Sequence, residues 1–108
     1  MNRELQTFKA EFFKALAHPM RIRILEVLNE GNRSVNELQA ILGSEGSAVS
    51  QQLAVLRNKN VVTGTKEGTS VVYSLRDPLI GDLLQIAKQI FDNHLVDAIS
   101  LLENMRNS

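Results

Sequence analysis

Residues 34–59 read Ser34-Val35-Asn36-Glu37-Leu38-Gln39-Ala40-Ile41-Leu42-Gly43-Ser44-Glu45-Gly46-Ser47-Ala48-Val49-Ser50-Gln51-Gln52-Leu53-Ala54-Val55-Leu56-Arg57-Asn58-Lys59, and this stretch decides the fold. Ser34 and Glu37 have the spacing of a capping box, in which a hydroxyl and a carboxylate reciprocally satisfy orphan amides at a helix start. Gly43 ends that helix, since glycine tolerates the left-handed stop conformation. After the turn Ser44-Glu45-Gly46 a second helix runs from about Ser47 to Lys59. Two helices of about three turns or fewer, joined by a glycine-containing turn, predict a helix-turn-helix.

On a wheel at about 100° per residue, Val49, Leu53 and Leu56 form one narrow face of the second helix, which must pack into the domain. Ser47, Gln51, Ala54 and Asn58 lie almost opposite, with Ser50 on one shoulder. A plain solvated face would more usually be filled with Lys and Glu. These uncharged side chains suit a DNA major groove: an amide bonds adenine in bidentate fashion, serine bonds several bases, and alanine allows close approach or meets a thymine methyl. Arg33, Arg57 and Lys59 sit where phosphates can be neutralised, and phosphate contacts carry affinity while base contacts carry specificity.

Outward from this core, residues 4–17 read as a helix with Leu5, Phe8, Phe12, Phe13 and Leu16 near one stripe. His18-Pro19 breaks it, and Pro19 suits the first position of a new helix. That helix carries Ile22, Ile24, Leu25 and Leu28 and is expected to stop at Gly31 in the left-handed conformation. On the other side, Val61–Glu67 and Ser70–Leu75 are rich in β-branched residues and flank Gly68-Thr69, a two-residue loop suited to a type II′ turn. Lys66, Thr69 and Ser70 at this tip can donate to phosphates, whereas Glu67 would be repelled; a generic solvated turn is the alternative. Asp77-Pro78 then opens a helix, with Asp as N-cap and Pro at the first position. No breaker follows until about Met105, so this helix is roughly 40 Å long.

The predicted order, α-α-α-α-β-β-α, is a mainly α winged helix-turn-helix with one β-hairpin. It forms a single domain over residues 1–108. Its parts are an N-terminal dimerisation helix (1–17), the helix-turn-helix (34–59), the wing (61–76) and a C-terminal dimerisation helix (77–106). Dimerisation is expected because the last helix repeats Ile80, Leu84, Ala87, Phe91, His94, Ala98, Leu101 and Met105 as a heptad-like seam. Leu83, Ile86, Ile90, Leu95, Ile99 and Leu102 are apolar as well, more than a single amphipathic stripe needs. With Phe8 and Phe12 at the other terminus, these residues predict helices that pair across a two-fold axis.

The chain of 108 residues has 44% hydrophobic and 22% charged residues, an ordinary globular balance, and it contains no cysteine. That excludes disulfides, thiolate metal sites and cysteine redox chemistry. No apolar run approaches the roughly 18 residues of a membrane span, and the charged start leads into no signal-peptide core, so a cytoplasmic protein with no membrane partner is expected. Twelve basic and twelve acidic residues cancel overall, yet they are segregated. Residues 1–76 carry ten Lys/Arg against seven Asp/Glu, and residues 77–108 two against five. That is an anion-facing body with an acidic segment set apart.

Ala15-Leu16-Ala17-His18-Pro19-Met20-Arg21-Ile22-Arg23-Ile24-Leu25 resembles the opening of the ArsR/SmtB-type bacterial repressors. So do Ser47-Ala48-Val49-Ser50-Gln51-Gln52-Leu53-Ala54-Val55-Leu56-Arg57 and the strand-turn-strand ending in Val72-Tyr73. The likeness covers roughly residues 8–76. It implies a homodimeric winged-helix repressor that binds a palindromic operator in double-stranded DNA and releases it when an effector binds. It also implies that the recognition-helix role falls on Ser47, Ser50, Gln51 and Gln52, although Gln52 is outside the outward stripe and stands where relatives often have His. Glu45 and Gly46 replace the Ser-Gln found in many relatives.

The resemblance further implies metal sites of two kinds. Cysteine pairs are impossible here. The Asp/His kind on the last helices keeps Asp77, but Leu79 stands where a His would follow, and His94 is left with Asp92 and Asp97. A zinc or nickel site wants about four to six donors with imidazole prominent, so no metal and no cofactor are expected. His94 reads as a polar break in a dimer seam, with a weak intersubunit metal ligand or a pH-sensitive contact as alternatives. His18 reads as a helix-junction residue, and the effector stays open. A winged helix used as a protein-interaction module is the rival function. Catalysis is not expected, for the chain has no phosphate loop, zinc-protease motif or nucleophile–base set.

Overall fold

A computed structural model describes residues 3–107. The elements run α1 (Arg3–Leu16), α2 (Pro19–Glu30), β1 (Arg33–Ser34), α3 (Val35–Leu42), α4 (Gly46–Asn58), β2 (Val62–Glu67), β3 (Ser70–Leu75) and α5 (Pro78–Arg106). The winged helix-turn-helix is as expected, with α3 and α4 as the helix pair and β2–β3 as the wing. The domain's outermost residues, 1, 2 and 108, lie outside the described range.

Most boundaries follow from local chemistry. His18 caps α2, its Nδ1 accepting from the Met20 N–H at 3.1 Å, with Pro19 behind it. Ser34 and Glu37 form both halves of the capping box: the Glu37 N–H donates to Ser34 Oγ at 3.2 Å and the Ser34 N–H to Glu37 Oε1 at 2.9 Å. Gly43 closes α3 at φ 65°, and Arg23 Nη2 reaches the Leu42 carbonyl at 3.3 Å, a basic group on a helix C-terminus. Asp77 Oδ1 accepts from the Leu79 N–H at 2.9 Å and starts α5. In the wing, Gly68 takes φ 62° while Thr69 stays at negative φ, as a type II′ turn requires.

Two expectations are corrected. Gly31 is not left-handed: at φ 166°, ψ 161° it is extended, because the chain leaves α2 directly into a strand. That strand, β1, is the second correction. It makes the sheet three-stranded in the order β1-β3-β2, with Arg33 opposite Tyr73 and Ser34 opposite Val72. Two residues are too few to show an alternation, so only the partner strand reveals them.

The end of α4 was not legible either. Asn60 stands at φ 61°. Its N–H donates to the Arg57 carbonyl at 3.1 Å, and the Val61 N–H donates to the Leu56 carbonyl at 2.9 Å. These are the two hydrogen bonds of a Schellman stop with asparagine in the glycine position, and the apolar contact that accompanies such a stop is made by Leu56 and Val61, both fully buried. The hairpin base is pinned at the same place, since the Arg76 N–H donates to the Val61 carbonyl at 3.1 Å.

The core joins Ala15 and Leu16 of α1, Ile24, Leu25 and Leu28 of α2, Leu38 and Leu42 of α3, Val49, Leu53 and Leu56 of α4, Val61, Val62, and Ile80 of α5. No polar side chain is buried among the described residues. Helix α5 gives little to it. Its first turns pack on α2, where Gly81 faces Asn29 at a distance that leaves no room for a Cβ. The rest projects: 29 residues make about 43 Å of helix. The radius of gyration is accordingly 17.3 Å, where a compact domain of this length has about 13 Å.

Two stability tests follow from these ends. Asn60→Val is expected to cost about 1–2 kcal/mol in denaturant unfolding and Asn60→Gly to be neutral within a few tenths, because only the β-branched residue resists the left-handed region. For the capping box, hydrogen bonds from the Ser34 backbone N–H and then its side chain hold the Glu37 carboxyl below its ordinary pKa. A depressed folded-state pKa stabilises above the unfolded value, and that contribution is lost as pH falls through the folded one. The stability gap between wild type and Glu37→Ala is therefore expected to be full at neutral pH and to close on acidification through the carboxylate range.

Candidate nucleic-acid interface

Because Val49, Leu53 and Leu56 are buried against the core, α4 has one orientation left. It presents Ser47, Ser50, Gln51, Ala54, Arg57 and Asn58 to solvent. Ser47, Gln51, Ala54 and Asn58, the stripe expected from the wheel, and Ser50 on its shoulder thus form one exposed ridge, with Arg57 at its edge. The helix starts at Gly46, one residue earlier than expected, with Glu45 as N-cap and no side-chain hydrogen bond to the first-turn amides. Those amides and the helix dipole favour an anion at this end, whereas the Glu45 carboxylate opposes one in solution.

Ridge and wing enclose a groove lined by Ser50, Ala54, Arg57, Asn58, Asn60 and Tyr73. Asn60 and Tyr73 were not among the expected site residues. Tyr73 is admitted by the glycine opposite it: a Cβ on Gly64 would come within 3.1 Å of the Tyr73 ring and 3.0 Å of Val71 Cγ1. A two-residue turn with Glu67 opposite Ser70 already fixes Gly64 opposite Tyr73, so this pair can be counted from the sequence. The hydroxyl groups at the wing tip, Thr69 and Ser70, are exposed together with Lys66, and they share a second groove with Asn36 of α3.

Two further expected contact residues are half-buried. Arg33 is on β1 opposite Tyr73, half-buried, with Nη1 donating to the Asn32 carbonyl at 3.0 Å. Gln52 is half-buried and turned to α2, where its Oε1 accepts from Arg21 Nε at 3.0 Å. The wheel had set Gln52 off the outward stripe, and on that side the amide meets Arg21.

The expected dimer residues also divide. Ile80 is corrected: it is buried in the core of its own protomer, because the start of α5 packs on α2, so it is not part of an exposed seam. Phe12 and Leu84 are half-buried against that core, and Ala87 is half-buried as well. Phe12 meets Phe13 edge to face with centroids 5.6 Å apart. Phe8 remains 73% exposed and Phe91 68%, and His94, Ala98, Leu101 and Met105 are all exposed. Leu79, Ile86, Ile90, Leu95, Val96, Ile99 and Leu102 are uncovered too. Among the described residues, no three His, Cys, Asp or Glu side chains are grouped to hold a metal, and no helix is long and apolar enough to cross a membrane.

An exposed ridge of hydroxyl, amide and methyl groups on the second helix of a helix-turn-helix, edged by an arginine and flanked by a β wing, defines the class of winged helix-turn-helix regulators. Comparison with known proteins narrows it. A family model described as bacterial regulatory protein, arsR family, matches residues 18–63. The HTH-type transcriptional regulator Rv0081 of Mycobacterium tuberculosis is 48% identical over 103 residues, covering 94% of this chain and 90% of that protein. Its crystal structure superimposes with a TM-score of 0.82 over 91% of this chain and 99% of that one. The HTH-type transcriptional repressor SmtB of the same organism is 41% identical over 75 residues, 69% of this chain and 56% of that protein. A homodimeric winged helix-turn-helix DNA-binding domain of Mycobacterium bovis, from a possible ArsR-family regulator, has a TM-score of 0.80 at 28% identity, covering 88% of this chain and 90% of that one. The chain belongs to the arsR family of bacterial regulatory proteins.

Proposed function

We propose that this protein is a homodimeric, cytoplasmic transcriptional repressor. It lays α4 in the major groove of a palindromic operator and steadies itself through the wing. The observation that carries this reading is the α4 ridge: hydroxyl, amide and methyl groups stand exposed where a solvated helix would carry charge. Ser47, Ser50, Gln51, Ala54 and Asn58 read bases, and Arg57, Lys66, Thr69 and Ser70 hold phosphates. The name of the SmtB relative supports repression, and the homodimeric relative supports assembly. The long uncovered α5 supports assembly independently, since soluble monomers rarely expose contiguous apolar patches beyond a few hundred Å². No cofactor and no catalysis enter this reading. The cysteine-free chain cannot build a thiolate sensor, so any effector acts through other chemistry.

Selection of bound fragments from the source genome, followed by titration at several salt concentrations, tests the proposal. Each neutralised phosphate steepens log K against log salt by about one unit. A palindromic fragment bound with a steep slope is the expected outcome. An absence of enriched fragments at low salt favours the protein-interaction module, to which the zero net charge and Glu45 point.

With the operator in hand, Gln51→Ala is expected to lose about 1–3 kcal/mol at particular base pairs, whereas Arg57→Ala weakens all duplexes alike. Uniform loss in both variants removes Gln51 from the base readers. For the assembly, Phe91→Glu is expected to give monomers in sedimentation velocity, and an unaltered dimer would place the interface elsewhere.

A further inference from the structure

Arg21, on α2, makes three hydrogen bonds through its guanidinium. Its Nε donates to Gln52 Oε1 on α4 at 3.0 Å. Its Nη1 donates to the Ala15 carbonyl at 3.0 Å and reaches the Lys14 carbonyl at 3.4 Å, both in the last turn of α1. One planar guanidinium therefore ties three helices, with donors in a fixed fork that a lysine does not offer. Its charge also suits the negative end of α1.

Lys59, at the C-cap of α4, makes a second tie to the same helix: its Nζ lies 3.7 Å from Glu11 Oε2. Residues 52 and 59 are seven apart, about two helical turns, and so lie on one side of α4. The ridge that carries Ser50, Gln51 and Ala54 is on another side. Hence α4 is bonded through Gln52 to Arg21 of α2, which also reaches α1, and its C-terminal end meets Glu11 of α1 in an exposed ion pair, while its outward ridge takes no part in these contacts.

We infer that Arg21 and Gln52 are a positioning pair that sets the tilt of the recognition helix, and that Gln52 supports the base-reading residues without reading bases itself. This rests on the operator-binding reading above. It assigns Gln52 a role different from the one the family resemblance implies. It also links two surfaces. Helix α1 bears the uncovered Leu5, Phe8 and Phe13, so whatever covers α1 bears on the pose of α4 through Arg21.

The test uses full-length protein and the operator selected as above. Wild type is measured first; if it selects no duplex, the operator reading falls and this inference with it. The decisive comparison is Gln52→Glu against Gln51→Glu, both confirmed as folded by circular dichroism melting. A glutamate at 52 still accepts from Arg21, and with a charge-assisted bond, so operator affinity is expected to stay within about fivefold. A glutamate at 51 faces the bases and phosphates and is expected to lose more than about thirtyfold.

Arg21→Ala and Gln52→Ala are each expected to weaken binding, with the double variant no worse than the weaker single one, as for two members of one contact. The salt slope of Arg21→Ala is expected to match wild type. Loss of binding by folded Gln52→Glu, additive effects of the two alanines, or a slope lowered by about one unit in Arg21→Ala would each overturn the pair while leaving the operator reading intact.

Discussion

Val61 is the residue on which the working parts of this molecule converge. It is fully buried, its N–H closes the end of α4 on the Leu56 carbonyl, and its carbonyl accepts from Arg76 where β3 hands over to α5. A single position thus fixes the recognition helix, the base of the wing and the origin of the long helix. Asn60 makes this possible by taking the left-handed conformation one residue earlier, so that the chain reverses and Val61 drops into the core beside Leu56. The angle between ridge and wing depends on that reversal, because β2 starts at the very next residue.

What was legible in the sequence was what short-range chemistry decides. Ser34 with Glu37, Gly43, Gly68-Thr69 and Asp77-Pro78 each satisfy or release their backbone within a few residues, so their identity carries their structure. The failures are tertiary. Strand β1 exists because β3 lies beside it, and Gly31 is extended because β1 follows. Ile80 belongs to the core because α2 meets the first turns of α5, a contact that Gly81 permits by lacking a side chain. In the candidate interface, the ridge of α4 followed from periodicity alone, since a helix with one buried stripe has its opposite stripe determined. The inward turn of Gln52 did not, because a wheel gives direction without naming the arginine that waits there.

The terminal helices set a constraint that one protomer does not meet. The core closes around α2, α3, α4 and the base of the wing, and from α5 it takes Ile80. Beyond Leu84 that helix exposes Ile, Leu, Val and Phe on most of its circumference, and α1 adds Phe8 and Phe13. At about 25 cal/mol per Å² of apolar surface removed from water, covering several such side chains together outweighs any single hydrogen bond in the domain. In the proposed homodimer a second chain would supply that cover and would give a palindromic site its two reading heads at a fixed separation. Assembly and recognition therefore draw on the same helices: α5 begins beside the Asn60 turn, and α1 is tied to α4 through Arg21 and through Glu11 with Lys59.

The zero net charge is compatible with a polyanionic partner once the charges are located. Arg57 and Lys66 stand on the ridge and the wing, whereas Asp92, Asp97 and Glu103 ride on the projecting part of α5. Asp92 is fourteen residues beyond Pro78, about 21 Å along the axis, and the other two lie farther still. The Debye length at physiological salt is about 8 Å, so exposed charges act mainly on their near neighbours. Asp92 is further compensated by Lys88 at 2.8 Å. The carboxylates nearest the proposed DNA-facing side are Glu45 at the N-cap of α4 and Glu67 at the wing tip. Phosphate contacts supply affinity without sequence information, so on the proposed reading discrimination falls to the hydroxyl, amide and methyl groups of the α4 ridge. On that reading, and with Arg21 and Gln52 as the positioning pair proposed above, the tilt of α4 would bear directly on operator choice.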